Sequence, residues 1–136
     1  MSPLVYAVEP QLGVAEFCRV LLESGLGATR PTRDETRIAA MLSGADLVVT
    51  ARLPDGSLVG VARCITDFAW SCYLAELAVS ASAQGLGVGR GLLSEVRRQL
   101  GPRVSLTLAS MPDAVGFYER VGMERVADAF WFRRSE

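Results

Sequence analysis

Apolar positions along the chain change their period several times, and each change marks an element. Leu4 to Val8 is a short apolar run closed by Pro10, which predicts a first strand. From Gly13 to Ser24 the apolar residues Val14, Phe17, Val20 and Leu21 recur at helical spacing. Gly25, Gly27 and Pro31 break that helix. Thr32, with Glu35 three residues on, has the form of a capping box for a second helix running to about Leu42 and ended by Gly44.

Two longer apolar runs, Asp46 to Leu53 and Ser57 to Thr66, flank Pro54-Asp55-Gly56, a turn signal that makes them a hairpin. Phe68-Ala69-Trp70 leads into a further strand, Cys72 to Val79. Val88, Leu92, Val96 and Leu100 then return every fourth residue, as on one face of a helix that Gly101-Pro102 stops. Val104 to Ala109 predicts another strand. Ala114, Phe117, Tyr118 and Val121 share a last helix face capped by Gly122. Arg125-Val126 and Phe130-Trp131-Phe132 complete the order as a closing hairpin. This order of strands and helices predicts a mixed α/β fold, one domain over residues 1–136.

Composition removes whole classes of chemistry. The 136 residues are half hydrophobic, enough for one core and too few for separate cofactor and substrate domains. Histidine is absent, which excludes Ser-His-Asp and Cys-His hydrolysis and histidine-ligated zinc; no metal is expected. With 14 basic and 15 acidic residues the net charge is -1, so no nucleic-acid partner is expected. Cys18, Cys64 and Cys72 form no CxxC pair and are odd in number, which favours free thiols in a reducing cytoplasm. Met1 to Pro10 lacks the form of a signal peptide, and no apolar run approaches the roughly 18 residues of a membrane span.

Candidate chemistry concentrates in Gln84-Gly85-Leu86-Gly87-Val88-Gly89-Arg90-Gly91, between a predicted strand and a predicted helix. Glycines let backbone approach an anion, and the unpaired N–H groups of a helix's first turn then point at it. A phosphate-gripping loop is expected near Gly87. Two nucleotide patterns fail on specific residues. A P-loop needs Lys-Ser/Thr after its last glycine, whereas Gly89 precedes Arg90-Gly91. The dinucleotide pattern would need its third glycine at Arg90.

These residues resemble the GNAT superfamily of acyl-CoA-dependent N-acetyltransferases. The family's signature (Arg/Gln)-x-x-Gly-x-(Gly/Ala) reads Gln84-x-x-Gly87-x-Gly89, and its Ala-x-x-Phe-Tyr-x-x-x-Gly-(Phe/Met) helix matches Ala114, Phe117, Tyr118, Gly122 and Met123. The resemblance in element order extends from about Leu4 to Arg133. It implies a single-domain α/β fold whose mixed central sheet is splayed between strands 4 and 5, with flanking helices.

The resemblance also implies roles. Acetyl-CoA would be the acyl donor, its pyrophosphate held by Gln84, Gly85, Leu86, Gly87, Val88, Gly89 and Arg90, chiefly through backbone N–H groups. Its pantetheine arm would pair with the backbone of Leu77, Ala78 and Val79 like an added strand. Val79 N–H is the expected donor to the oxyanion, and Tyr118 the expected proton donor to the leaving thiolate. Glu76 is the candidate base or amine-binding carboxylate, on the face opposite Leu77 by strand alternation. Many family members carry an asparagine where this chain has Met111; Ser110 or Asp113 is expected to cap the following helix instead.

The expected function is transfer of an acetyl group from acetyl-CoA to a small-molecule or peptide amine. A non-catalytic acyl-CoA sensor, or a toxin-type acetyltransferase of aminoacyl-tRNA, stands as the alternative. Phe68 and Trp70 are expected to border the acceptor pocket, and Arg30 and Arg33 to lie where an acidic acceptor group could be recognised. Phe130-Trp131-Phe132 suggests a homodimer contact.

Overall fold

In the computed structural model, which describes residues 3–136, the apolar runs of the first half pair as an antiparallel meander. Strands β1 (Val5–Val8), β2 (Leu47–Arg52), β3 (Leu58–Thr66) and β4 (Ser71–Val79) lie side by side in chain order, and β5 (Ser105–Thr107) joins β4 in parallel. The turn at Pro54-Asp55-Gly56 closes as its residues require. Gly56 has φ +90° and the Asp55 carboxylate accepts the Ser57 N–H at 2.9 Å. The first two positions of the segment read for a signal peptide, Met1 and Ser2, lie outside the described residues.

Alternation along β2 divides the interior between the two faces of the sheet. On one face Phe17, Val20 and Leu21 of α1 (Val14–Ser24) and Ile38 and Leu42 of α2 (Glu35–Ser43) bury against Val48, Leu58, Val61 and Ala78. On the other, Val88, Leu92, Val96 and Leu100 of α3 (Val88–Leu100) bury against Leu47, Val49, Ala51, Ala62 and Leu74. The fourfold apolar repeat of α3 is therefore its core face. The last helix, α4 (Val115–Arg120), follows a tight 3-10 turn at Pro112–Ala114 and lays Phe117 and Tyr118 on the α3 side.

Three expectations need correction. Asp34, not Thr32, caps α2, its carboxylate accepting the Arg37 N–H at 3.0 Å. Thr32 instead lies in the preceding turn, donating its own N–H to the Arg30 carbonyl at 2.9 Å. Neither Ser110 nor Asp113 caps α4, which has no side-chain cap; the Ser110 hydroxyl donates to the Met111 carbonyl. The closing hairpin is absent among the described residues: 123–136 form no strand, and Phe130, Trp131 and Phe132 are 93%, 71% and 105% exposed. Its natural neighbour, β5, pairs over three residues only and offers too short an edge to template a strand.

Cys18, Cys64 and Cys72 are free thiols. No described helix is long and apolar enough to cross a membrane, and no group of three metal-ligating side chains occurs among the described residues.

Candidate active site

The centre of the molecule is an opening in the sheet. β4 and β5 pair only at Ser71–Tyr73 with Ser105–Thr107, while β4 continues alone to Val79. The register between β3 and β4 also slips by one, so that Cys64 faces Leu74 but Arg63 faces Glu76, and Ala75 bulges. The bulge reverses which side chains meet which face. Leu74 lies in the core under α3, and so do Leu77 and beyond it Val79, whereas Ala78 joins the core under α1 and α2.

Backbone direction follows from the same register. The Ser80 N–H donates to the Val59 carbonyl at 2.8 Å, so Ser80, Ala78 and Glu76 turn their polar backbone toward β3. Leu77 and Val79 therefore turn N–H and C=O toward the edge that β5 has left. The Gln84 side chain lies over the end of that edge, its amide donating to the Val79 carbonyl at 3.3 Å.

At the end of β4 a short 3-10 turn, Ala81–Ala83, leads into the glycine run. Gly85 and Gly87 have φ of +86° and +78°, the left-handed region, with open space where a side chain would project. Gly87 is the N-cap of α3, and no side chain caps that end. Its N–H and those of Gly85, Val88, Gly89 and Arg90 meet no acceptor among the described residues; the next, Gly91 N–H, bonds back to Gly87. Donors of one turn therefore stand unpaired at the mouth of the opening, where the helix dipole is positive. Gly89 and Gly91 are small for packing reasons. A Cβ at Gly89 would stand 3.1 Å from the Phe117 ring, and one at Gly91 would stand 2.0 Å from the Tyr6 hydroxyl.

Tyr118 is half-buried beside Phe117, the rings edge to face with centroids 5.1 Å apart. Burial raises its phenol above the usual value, keeping the proton on through neutral pH. The hydroxyl makes no hydrogen bond among the described residues. It is a neutral donor without a partner among the described residues, on the helix that touches the glycine turn through Phe117.

Glu76 is 3% exposed and both its oxygens are taken. Arg30 Nε donates to Oε2 at 2.7 Å, Arg63 Nε donates to Oε1, and Arg63 Nη2 donates to Oε2 at 3.3 Å. Arg63 Nη1 donates onward to the Met41 carbonyl at 3.0 Å, and Arg30 Nη2 to the carbonyl of the bulged Ala75 at 2.8 Å. The carboxylate faces the α1 and α2 side, opposite Leu77, as alternation predicts, and each of its oxygens accepts from a guanidinium.

Gln84 to Arg90, the free edge of Leu77 and Val79, and α4 thus gather round one opening. Phe68 and Trp70 do not join them. They stand exposed in a tight loop at the start of β4, the end opposite the glycine run. That loop is tied by Asp67, whose carboxylate accepts the N–H groups of Ala69, Trp70 and Ser71 at 2.8–3.1 Å. The bulge and the arginine pair around Glu76 escaped the sequence reading. A lone acidic residue in the otherwise apolar run Leu74 to Val79 was the available signal that a partner had to be supplied.

A family model described as an acetyltransferase (GNAT) domain matches residues 29–133. An uncharacterized N-acetyltransferase, ycf52, of Pyropia yezoensis is 29% identical over 86 residues, covering 59% of this chain and 49% of its own. A GNAT-family acetyltransferase from Streptococcus pneumoniae TIGR4 superimposes with a TM-score of 0.73 at 22% identity, over 97% of this chain and 99% of its own. An aminoglycoside N-acetyltransferase, AAC(6')-Iy, solved in complex with CoA, gives 0.73 at 16% identity over 99% and 97%. The chain spans about half the length of the curated relatives it matches. With the matched region running from within the α1–α2 connection to the C-terminal segment, and with the splayed sheet and glycine turn in place, the chain belongs to the GNAT acetyltransferase family.

Proposed function

We propose that residues 1–136 act as one cytoplasmic acetyltransferase domain that moves an acetyl group from acetyl-CoA to a primary amine by direct attack. The observation that carries this reading is the set of unpaired backbone N–H groups from Gly87 to Arg90 beside a strand edge left free by β5. Those donors suit a pyrophosphate, and the outward N–H and C=O of Leu77 and Val79 suit the amides of a pantetheine arm. When bound there, acetyl-CoA supplies the thioester.

The chain's own groups then divide the work. Val79 N–H is aimed to donate to the carbonyl oxygen as charge develops on it. The phenol of Tyr118, protonated and unpartnered, delivers its proton to the departing sulfur. Ala78 turns its own N–H and C=O to β3 and serves by spacing Leu77 and Val79 along the open edge. Arg90, on the first turn of α3, adds a cation near the phosphates. For Glu76 we propose positioning rather than proton transfer, since two guanidinium groups occupy its oxygens; the ammonium proton leaves through water.

Release of free thiol from acetyl-CoA, measured over a panel of small-molecule and peptide amines, tests the reading. Turnover with at least one amine is expected. Coenzyme binding without turnover of any amine would instead make the domain an acyl-CoA sensor.

A further inference from the structure

Beside the triad of Arg30, Glu76 and Arg63 lies a cleft of about 570 Å³ formed by the end of α1 and the segment that joins it to α2. Leu22, Ala28 and Pro31 supply apolar wall; Arg30, Thr32 and Arg33 supply the polar part. None of its lining residues is acidic. Asp34, next along the chain, has its carboxylate turned to the Arg37 N–H at the head of α2.

Charge counting around the triad leaves a surplus. One carboxylate, Glu76, faces two guanidinium groups, and no other carboxylate touches either. A full positive charge therefore stays uncompensated, and it is the cleft-lining Arg30, 24% exposed, that meets solvent. Arg30 is also held rigidly. Its Nη1 donates to the Thr29 carbonyl and hydroxyl, its Nε to Glu76, and its Nη2 to Ala75, which leaves one Nη2 proton without an acceptor. Arg33 adds a second cation, exposed and in no ion pair among the described residues. A fixed guanidinium with a spare N–H, plus an exposed one, is a receptor for a planar anion. The contact from Arg30 to Ala75 puts the floor of this cleft at the bulged residue of β4, two residues from Leu77.

We propose that this cleft receives a carboxylate carried by the amine acceptor, with Arg30 and Arg33 as its partners. The inference rests on the acetyl-transfer reading for the identity of the occupant as an acceptor. The acceptor class is then an amine bearing an acid group, either a free amino acid or a peptide N-terminus with an acidic neighbour. Arg30 orients that group from a position the triad fixes, and Glu76 serves by holding Arg30 in place.

The test compares a series of ω-amino acids of increasing length with their carboxamides, and tripeptide amides carrying Glu or Gln at the second position. Thiol release is read for each, and so is calorimetric binding of the N-acetylated compounds to the protein saturated with CoA. The carboxylate form is expected to exceed its amide about tenfold or more in kcat/KM and in affinity, in one of the two arms. That arm identifies the source of the carboxylate. In Arg33→Ser the carboxylate-to-amide ratio is expected to fall about tenfold, and Arg33→Lys to restore part of it. Equal values for acid and amide in both arms, or a ratio unmoved by Arg33→Ser, would overturn the proposal. If no amine turns over yet the acid preference appears in calorimetry, the acetyl-transfer reading fails and the cleft stands. Turnover of neutral amines without acid preference gives the reverse.

Discussion

Gly87 and Gly91 sit four residues apart and lack a side chain for different reasons, which substitution separates. Gly87 holds φ +78° with open space around it, so Gly87→Ala meets only backbone strain of about 1–2 kcal/mol and is expected to keep coenzyme affinity. Gly87→Asp adds a like charge beside the proposed pyrophosphate, and isothermal titration is expected to show binding lost; unchanged affinity would remove the loop from the site. At Gly91, α-helical backbone makes alanine intrinsically better by up to about 1 kcal/mol. The Tyr6 hydroxyl and ring, which that Cβ would overlap, reverse the sign: Gly91→Ala is expected to destabilise by about 1–3 kcal/mol in urea unfolding, with part recovered in combination with Tyr6→Leu. Tyr118→Phe is expected to lower kcat about tenfold or more with CoA affinity unchanged. An unchanged kcat would leave Tyr118 a packing residue.

Among the elements, the first half was legible because each apolar run had one period and one face to bury. Val48 and Val49 alternate cleanly between two cores, and Phe17, Val20 and Leu21 all reach the same one. What the pattern cannot carry is cross-strand arithmetic. The slip between Arg63 and Cys64 arises from pairing, not from either strand's own composition. The closing hairpin failed for a related reason, since Phe130 to Phe132 has the composition of a strand and no edge to join. A polar counterpart ties the first elements together: Arg52 of β2 makes paired bonds of 2.8–2.9 Å to Glu9 after β1 and Glu16 of α1. The hydrogen bonds from Arg52 hold both glutamates below the usual carboxylate range. Depressed folded-state values give stability that is present above the ordinary glutamate value and lost as pH falls through the lowered ones. Arg52→Ala is therefore expected to cost about 1–2 kcal/mol near neutrality, discounted for partial exposure, and to flatten the acid limb of a thermal-melt series. A parallel acid limb in the variant would refute the link.

Over the whole molecule, the resolved shifts carry their groups away from neutrality. Histidine is absent, the three thiols are all pushed up by burial, and Glu9, Glu16 and Glu95 are held down by their guanidinium partners. Stability is expected to stay level between about pH 6 and 8. A slope in kcat/KM across that window would then report the acceptor's own ammonium. Matched amines of different basicity should move the inflection accordingly, and an inflection fixed across them would point to a protein group instead. After Leu100 no described residue is fully buried, and we propose the exposed Phe130-Trp131-Phe132 as a self-association contact. Light scattering is expected to give twice the chain mass, and Phe132→Ser to give the single chain; a monomeric parent chain would end that reading. The bulge at Ala75 has one more consequence. Because it sets the phase of everything downstream, β4 tolerates changes of letter better than changes of count. Removing a residue beyond the bulge, between Leu77 and Val79, would hand a place on the open edge to a neighbour and turn the following side chain to the opposite layer. Diversity in relatives should thus be found as substitutions along Glu76 to Val79, with insertions and deletions confined to the turns at either end.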